Sequence, residues 1–333
     1  GRRPVLVAGF VLYGLAAIGT ALAPNIVVLL FARAVWGFGA AAPGGLRYAI
    51  ARDLYSGDRM ARVVTIATAV FLIGPLLMPI AGELILLNGT WELIALTALG
   101  LAAVAVAWSL WFGETLPVDA RRPLRFRPLV DAATTVVRTR RSIGAIVAST
   151  FFFAGFFVWL GSAQPMLDRI HGRDDQFVRF FGASGLAMSA ALVFTDRVIV
   201  RLGTATVAAR VSGTYVVLAL AGSAASLAVD GLSLWPWFVW VAVINALGAV
   251  MGSVCAALAL DPVGEIAGFT SSLFNFAALG PGALLAAVVD ARIDDTVTPM
   301  TVGIAVFGVL GWATLRFTQR PSKSLKGTIG SLP

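Results

Sequence analysis

Arg33 stands in an otherwise apolar and small-residue run from Ile26 to Gly45, where a guanidinium can do chemistry that its neighbours cannot. Seven residues into that run, it lies about 10 Å along a helix. A charge at such depth needs a partner or a water-filled cavity, which makes it a candidate for coupling ion movement; a structural cation held by carbonyls is the alternative. Gly37 and Gly39 follow it, small enough for another helix to approach closely. Glu83 is the acidic residue well inside an apolar run of the first half. As a proton carrier it needs a pKa raised by burial, and near the end of its run it can instead snorkel.

Gly74, Pro75, Pro79 and Gly82 interrupt one apolar run, and Gly280 and Pro281 interrupt another. Proline removes an N–H and clashes with the preceding turn, so both helices should bend. A bent helix can line a pathway, or can simply be tolerated where neighbours satisfy the freed carbonyls. Asn245 and Asn275 offer hydrogen bonds to a ligand or between helices. Phe153 and Phe157, within the aromatic stretch Phe151 to Trp159, could stack on an apolar or cationic compound. Lipid contact is the competing role for most of those rings.

The elements that must position these residues are ten apolar stretches, at 4–22, 26–51, 62–87, 92–112, 143–166, 178–200, 205–229, 233–260, 265–289 and 297–317. Each approaches the roughly 20 residues a helix needs to cross a bilayer. With 59% apolar and 13% charged residues the chain is an all-α membrane protein. The segment 113–142, bearing seven arginines, is the one long polar connection, giving an N-terminal half at 1–112, a linker, a C-terminal half at 143–317 and a tail at 318–333.

The net charge of +8 does not gather on one face, as nucleic-acid binding would require. Fifteen Lys and Arg fall in the ends and the loops of one side, against three in the loops of the other. The positive-inside rule then places both termini and the linker in the cytoplasm of a cell whose inner membrane holds the protein. Trp235, Trp237 and Trp240 read as an outer aromatic belt, and His171 as a solvated loop residue. Cys255, the single cysteine, reads as a small buried hydrophobe. Metal-ligand spacing, a phosphate loop and a nucleophile elbow are missing from the sequence, so neither an enzyme nor a cofactor is expected.

Gly74-Pro75 in the third stretch and Gly280-Pro281 in the ninth suggest repeated halves, a common transporter plan with the substrate site between them. The repeat implies six helices in each half. On that reading the sequence lacks the first two, about 60–70 residues.

Gly1-Arg2-Arg3-Pro4 is similar to the end of the loop motif G-x-L-x-D-R-x-G-R-R of the major facilitator superfamily, and Asp196-Arg197 through Arg201 to Gly203 resembles its second-half copy. Arg33 with Gly37 and Gly39 resembles the family's fourth-helix arginine motif. Arg52-Asp53-Leu54-Tyr55, the Pro75-to-Gly82 segment and Glu114-Thr115-Leu116-Pro117 resemble the bicyclomycin- and chloramphenicol-resistance drug-efflux group. Val70, Met78 and Pro79 stand where the general antiporter motif has glycines.

The resemblance implies the major facilitator fold, ten of twelve helices, and a monomeric exporter that moves small, largely apolar compounds against inward proton flow. Arg33 would couple proton movement, the glycine-proline segment would serve alternating access, and a first-helix carboxylate would lie upstream. A proton symporter for a metabolite, and a non-transporting scaffold or receptor, are the competing functions.

Overall fold

The computed structural model describes residues 1–55, 59, 63, 77–116, 126–229, 233–293 and 296–319. Helices account for almost all of them: α1 (Arg2–Ala21), α2 (Ile26–Leu54), α3 (Leu77–Asn88), α4 (Trp91–Phe112), α5 (Phe126–Arg138) and α6 (Arg140–Pro165) come first. Then follow α7 (Phe177–Leu202), α8 (Thr204–Ala228), α9 (Leu234–Leu260), α10 (Ala267–Asp290) and α11 (Thr298–Thr318). Eight helical stretches among the described residues are long and apolar enough to cross a membrane, and one of them, Leu234–Asp290, bends at the short turn Asp261–Ile266 into α9 and α10. Apart from the stretch at 62–87, of which α3 shows the end, the apolar stretches match these helices to within three residues at each terminus.

A backbone in hydrocarbon has no water to bond, so a long apolar run has little choice but helix. Local chemistry sets the ends. At α2 the Asn25 side chain accepts the Val28 N–H at 3.0 Å and satisfies one of the unpaired donors of the first turn.

The chain divides into two compact units, Gly1–Leu124 and Arg125–Pro333. In the first, α1 packs on both α2 and α4. In the second, α6 is the central element, in contact with α9, α10 and α11, while α7 packs on α9 and α8 packs on both α9 and α11. Lipid tails are as apolar as leucine, so these contacts rest on close packing and on a few interhelical hydrogen bonds. Phe152 and Tyr215, each 1% exposed, meet edge to face at 5.2 Å and 82°, a geometry that adds about 1 kcal/mol to the burial itself. Ser226 and Thr301 bridge α8 and α11 at 2.7 Å.

The segment 113–142 is not simply a polar connection, because it contains α5. Ala132 and Val136, four residues apart, turn one face inward, and Val136 is fully buried. This face docks on α6, α10 and the turn between α9 and α10. Two of the segment's seven arginines, Arg127 and Arg138, are exposed on this amphipathic helix.

Candidate functional site

In the first unit α1 and α2 cross with backbone against backbone. A Cβ on Gly39 would sit 2.5 Å from the Tyr13 nitrogen and 2.8 Å from the Gly9 carbonyl oxygen. Gly37 is different, with nothing within 4 Å of the position its Cβ would take. The crossing brings Tyr13 against Trp36, edge to face at 5.2 Å. Arg33, one turn earlier on α2, lays its guanidinium over the Trp36 ring at 5.0 Å. The side chain is otherwise exposed on its unit, and among the described residues it forms no ion pair with a carboxylate. Its charge is therefore only partly compensated, by a ring quadrupole.

Three short motifs of the first unit converge at the helix ends. Arg2 Nε pairs with Asp53 Oδ2 at 3.1 Å, and Asp53 is nearly buried. Thr115 Oγ1 donates to the same carboxylate oxygen at 3.5 Å. Glu114 Oε1 accepts the backbone N–H groups of Arg2 at 2.7 Å and of Leu116 at 3.1 Å. Arg3 lines a shallow pocket beside them with Ile50 and Trp108. Gly1-Arg2-Arg3, the Asp53 motif and the Glu114 motif are separately visible in the sequence, but their union is a tertiary fact. Their alternating charge is the one signal that they belong together.

The second unit explains how a proline is accommodated in α10. Pro281 has no N–H to give the carbonyl four residues back, which is that of Ala277. Thr150 of α6 supplies a donor in its place: its Oγ1 lies 3.0 Å from the Ala277 oxygen and 3.2 Å from the Ile146 carbonyl of its own helix, so one hydroxyl proton is shared between the two, with Ala277 the nearer. Beside it a Cβ on Gly282 would come to 3.3 Å from the Thr150 carbonyl oxygen, whereas one on Gly280 would have a lone neighbour at 3.9 Å, the Phe276 ring. Gly282, not singled out in the sequence, is thus the glycine that seats α10 against α6.

Replacing Thr150 with Val leaves the shape and removes the donor. We expect Thr150→Val to lower stability by about 1–2 kcal/mol, read as a fall in the midpoint of thermal unfolding in detergent, and Thr150→Ser to restore most of it.

The aromatic residues of α6 are not mainly a lipid-facing surface. Among Phe151, Phe152, Phe153, Phe156, Phe157 and Trp159 none is exposed, and Phe152 and Trp159 belong to the core. Phe153 and Phe157, half-buried, have ring centres 6.4 Å apart; Phe156 joins Phe157 to Trp159, which stacks on Phe181 at 4.8 Å. Small residues on α9, α10 and α11 admit these rings, as Gly252 does for Phe153 and Gly311 for Phe152.

Asn245 is 2% exposed and donates to Ser184 Oγ of α7 at 3.4 Å, so it links helices. Asn275 is exposed and donates to the Ser271 carbonyl of its own helix at 2.9 Å. Glu83 is exposed on α3, where Pro79 is half-buried and the Gly82 Cβ position is open. Gly74 and Pro75 lie outside the described residues, as does the Asp196 side chain. Arg197 sits over the Phe194 ring at 5.8 Å, Arg201 is exposed, and Gly203 takes φ +77° at the turn from α7 to α8. Among the described residues this second copy of the loop motif forms no ion pair like that of Arg2.

The outer aromatic belt is also smaller than expected. Trp235 is exposed, but Trp237 is 1% exposed and Trp240 donates to the Leu218 carbonyl at 2.8 Å. His171 is not a free loop residue: its ring lies 5.0 Å from that of Trp237, its Nε2 is buried without a hydrogen-bond partner among the described residues, and burial holds its pKa below the usual histidine range. Cys255 is free and buried, as expected of a small hydrophobe.

The family model for the Major Facilitator Superfamily matches residues 1–287. The chain is similar to the bicyclomycin resistance protein homolog of Haemophilus influenzae, with 29% identity over 97% of this chain and 82% of that protein. It is also similar to multidrug resistance protein D of Escherichia coli, with 32% identity over 37% of this chain and 31% of that protein. Among solved structures, the transporter FucP in its outward conformation superimposes with a TM-score of 0.66 at 12% identity, covering 96% of this chain and 84% of that one. The nucleoside transporter NupG gives 0.67 at 11%, covering 96% and 82%. At such identities these likenesses are of fold alone.

Proposed function

The chain belongs to the Major Facilitator Superfamily, and from that premise we propose that this multi-pass membrane transporter exports small, largely apolar drugs or toxic compounds, as a monomer, in exchange for protons. It is a secondary transporter and not an enzyme. The export of drugs is supported by the names of its relatives, which describe bicyclomycin and multidrug resistance.

The observation that carries the coupling is Arg33, a guanidinium about 10 Å along α2 that among the described residues rests on the Trp36 ring. A fixed cation favours the ionised form of any carboxylate near it, and so favours release of that carboxylate's proton. If substrate or helix movement changes that field, proton affinity differs between the two states of the cycle, which is the requirement for coupling. Glu83 is the carboxylate in this unit that we assign to proton exchange. We assign the alternating access to the proline-bearing helices α3 and α10, which hold Pro79 and Pro281.

Cells producing the protein should lose a preloaded lipophilic dye faster than control cells, and a protonophore should abolish the difference while ATP is held constant. Export that survives collapse of the proton gradient refutes the coupling, and proton-dependent uptake in place of loss makes the protein a symporter.

We place the protein in the inner membrane with the termini of the sequence and the 113–142 segment in the cytoplasm, on the partition of its basic residues. A cysteine at position 120, in place of Ala120 and in a Cys255→Ala background, should resist membrane-impermeant maleimide in intact cells and react after lysis. Labelling in intact cells inverts the orientation.

A further inference from the structure

At one end of the second unit four helix termini surround a cavity of about 540 Å³. There α6 and α8 begin, and α9 and α11 end. Arg141 and Arg316 stand at its mouth with Asp261, so two guanidiniums face one carboxylate. Both arginines are exposed, and neither is in an ion pair among the described residues. The walls are two helical stripes. Ala205, Ala209 and Ser212 line it from α8, and Trp312 and Arg316 from α11 with its cap Gln319, each set spaced to share one helix face.

The small α8 side chains create the room. Ser212, eight residues into α8 and 2% exposed, marks a depth of about 12 Å from the helix end. The cavity is charged at its exposed end, at Arg141, Arg316 and Asp261, and lined mainly by alanine and leucine away from it. Its mouth is held in place by its own contacts: the Arg140 guanidinium donates to the Phe317 carbonyl, Gln319 Nε2 donates to the Arg141 carbonyl at 3.1 Å, and Arg316 lies over the Trp312 ring at 5.3 Å.

We propose that this cavity binds an anionic phospholipid, with the phosphate between Arg141 and Arg316 and an acyl chain along the alanine wall of α8. A free phosphate would leave the apolar floor empty, and an uncharged transport substrate would leave two guanidiniums with the single Asp261 carboxylate to balance them. The sequence after Gln319 carries Arg320, Lys323 and Lys326, so the chain's own tail has the wrong charge to enter. In the orientation proposed above, on which this assignment rests, the cavity opens at the cytoplasmic leaflet, where anionic lipids concentrate.

The test is native mass spectrometry of the detergent-purified protein with phosphatidylglycerol or phosphatidylcholine added at equal concentration, paired with thermal unfolding. The protein should retain phosphatidylglycerol over phosphatidylcholine by roughly tenfold or more. Arg141→Gln with Arg316→Gln should lose that preference. Arg169→Gln with Arg173→Gln, which removes the same charge elsewhere, should keep it, and Arg141→Lys with Arg316→Lys should keep part of it.

Ala209→Phe, which fills the wall and leaves the cations, should weaken retention of the lipid. Equal retention in the double glutamine variant, or no preference in the parent protein, overturns the proposal. Stabilisation by inorganic phosphate that matches phosphatidylglycerol and is indifferent to Ala209→Phe makes the ligand a free phosphate and overturns the lipid. Retention is read without transport, so this result is separable from the export assay, and the orientation fails separately in the Ala120 labelling.

Discussion

Arg33→Ala should reduce transport per inserted molecule by more than about tenfold while leaving insertion and thermal stability near those of the parent protein. The guanidinium is exposed on its unit, so truncation opens no cavity in the α1–α2 interface, and Trp36 keeps its contact with Tyr13. A cation inside a membrane helix is opposed by up to about 3 kcal/mol, and removing one that had no function should, if anything, ease insertion. Loss of turnover at undiminished abundance therefore reports on the charge. Arg33→Lys separates two forms of that role. An ammonium keeps the point charge but gives up the planar stacking on the ring, so partial turnover assigns the field to coupling, and none assigns the fork. Turnover near normal in Arg33→Ala would reduce Arg33 to a packing residue and withdraw the main support for coupling through α2.

The membrane helices are legible in the sequence because hydrocarbon leaves the backbone one way to satisfy itself, and length with hydropathy then suffices. What hydropathy does not encode is which face of an all-apolar helix is buried. The rings of α6 surround it, so no periodicity tells that Phe152 is core or that Phe153 and Phe157 are half-covered; tight packing on three neighbours decides it. Trp235 and Trp237 illustrate the same limit two residues apart, one exposed and one enclosed beside His171.

Partners across the chain are equally hidden. Pro281 announces an unpaired carbonyl at Ala277, yet the donor, Thr150, lies 127 residues away. Asp53 and Glu114 can each be recognised in a motif, while their meeting at Arg2 cannot be read from either. In α5, Arg127 and Arg138 and the arginines that flank the helix in sequence obscure the apolar face of Ala132 and Val136.

The two glycines that follow Arg33 should respond in opposite ways. Any side chain on Gly39 must displace the α1 backbone at Tyr13 and Gly9, since a Cβ there would stand 2.5 Å and 2.8 Å from main-chain atoms that cannot turn aside as a flexible side chain does. The structure can respond only by separating the helices, which forfeits the α1–α2 packing and shifts the Tyr13–Trp36 pair beneath Arg33. Overpacking of side chains alone is worth 1–3 kcal/mol, and a clash between backbones belongs above that range. Gly39→Val should accordingly give little folded protein, judged by a monodisperse peak in detergent chromatography, and no transport. Gly37→Val meets nothing within 4 Å and should fold with a change of under about 1 kcal/mol. If both variants fold alike, the α1–α2 crossing is not the contact that Gly39 secures. If Gly37→Val folds and fails to transport, the open space beside Gly37 belongs to the working cycle, and the motif carries one glycine for packing and one for movement.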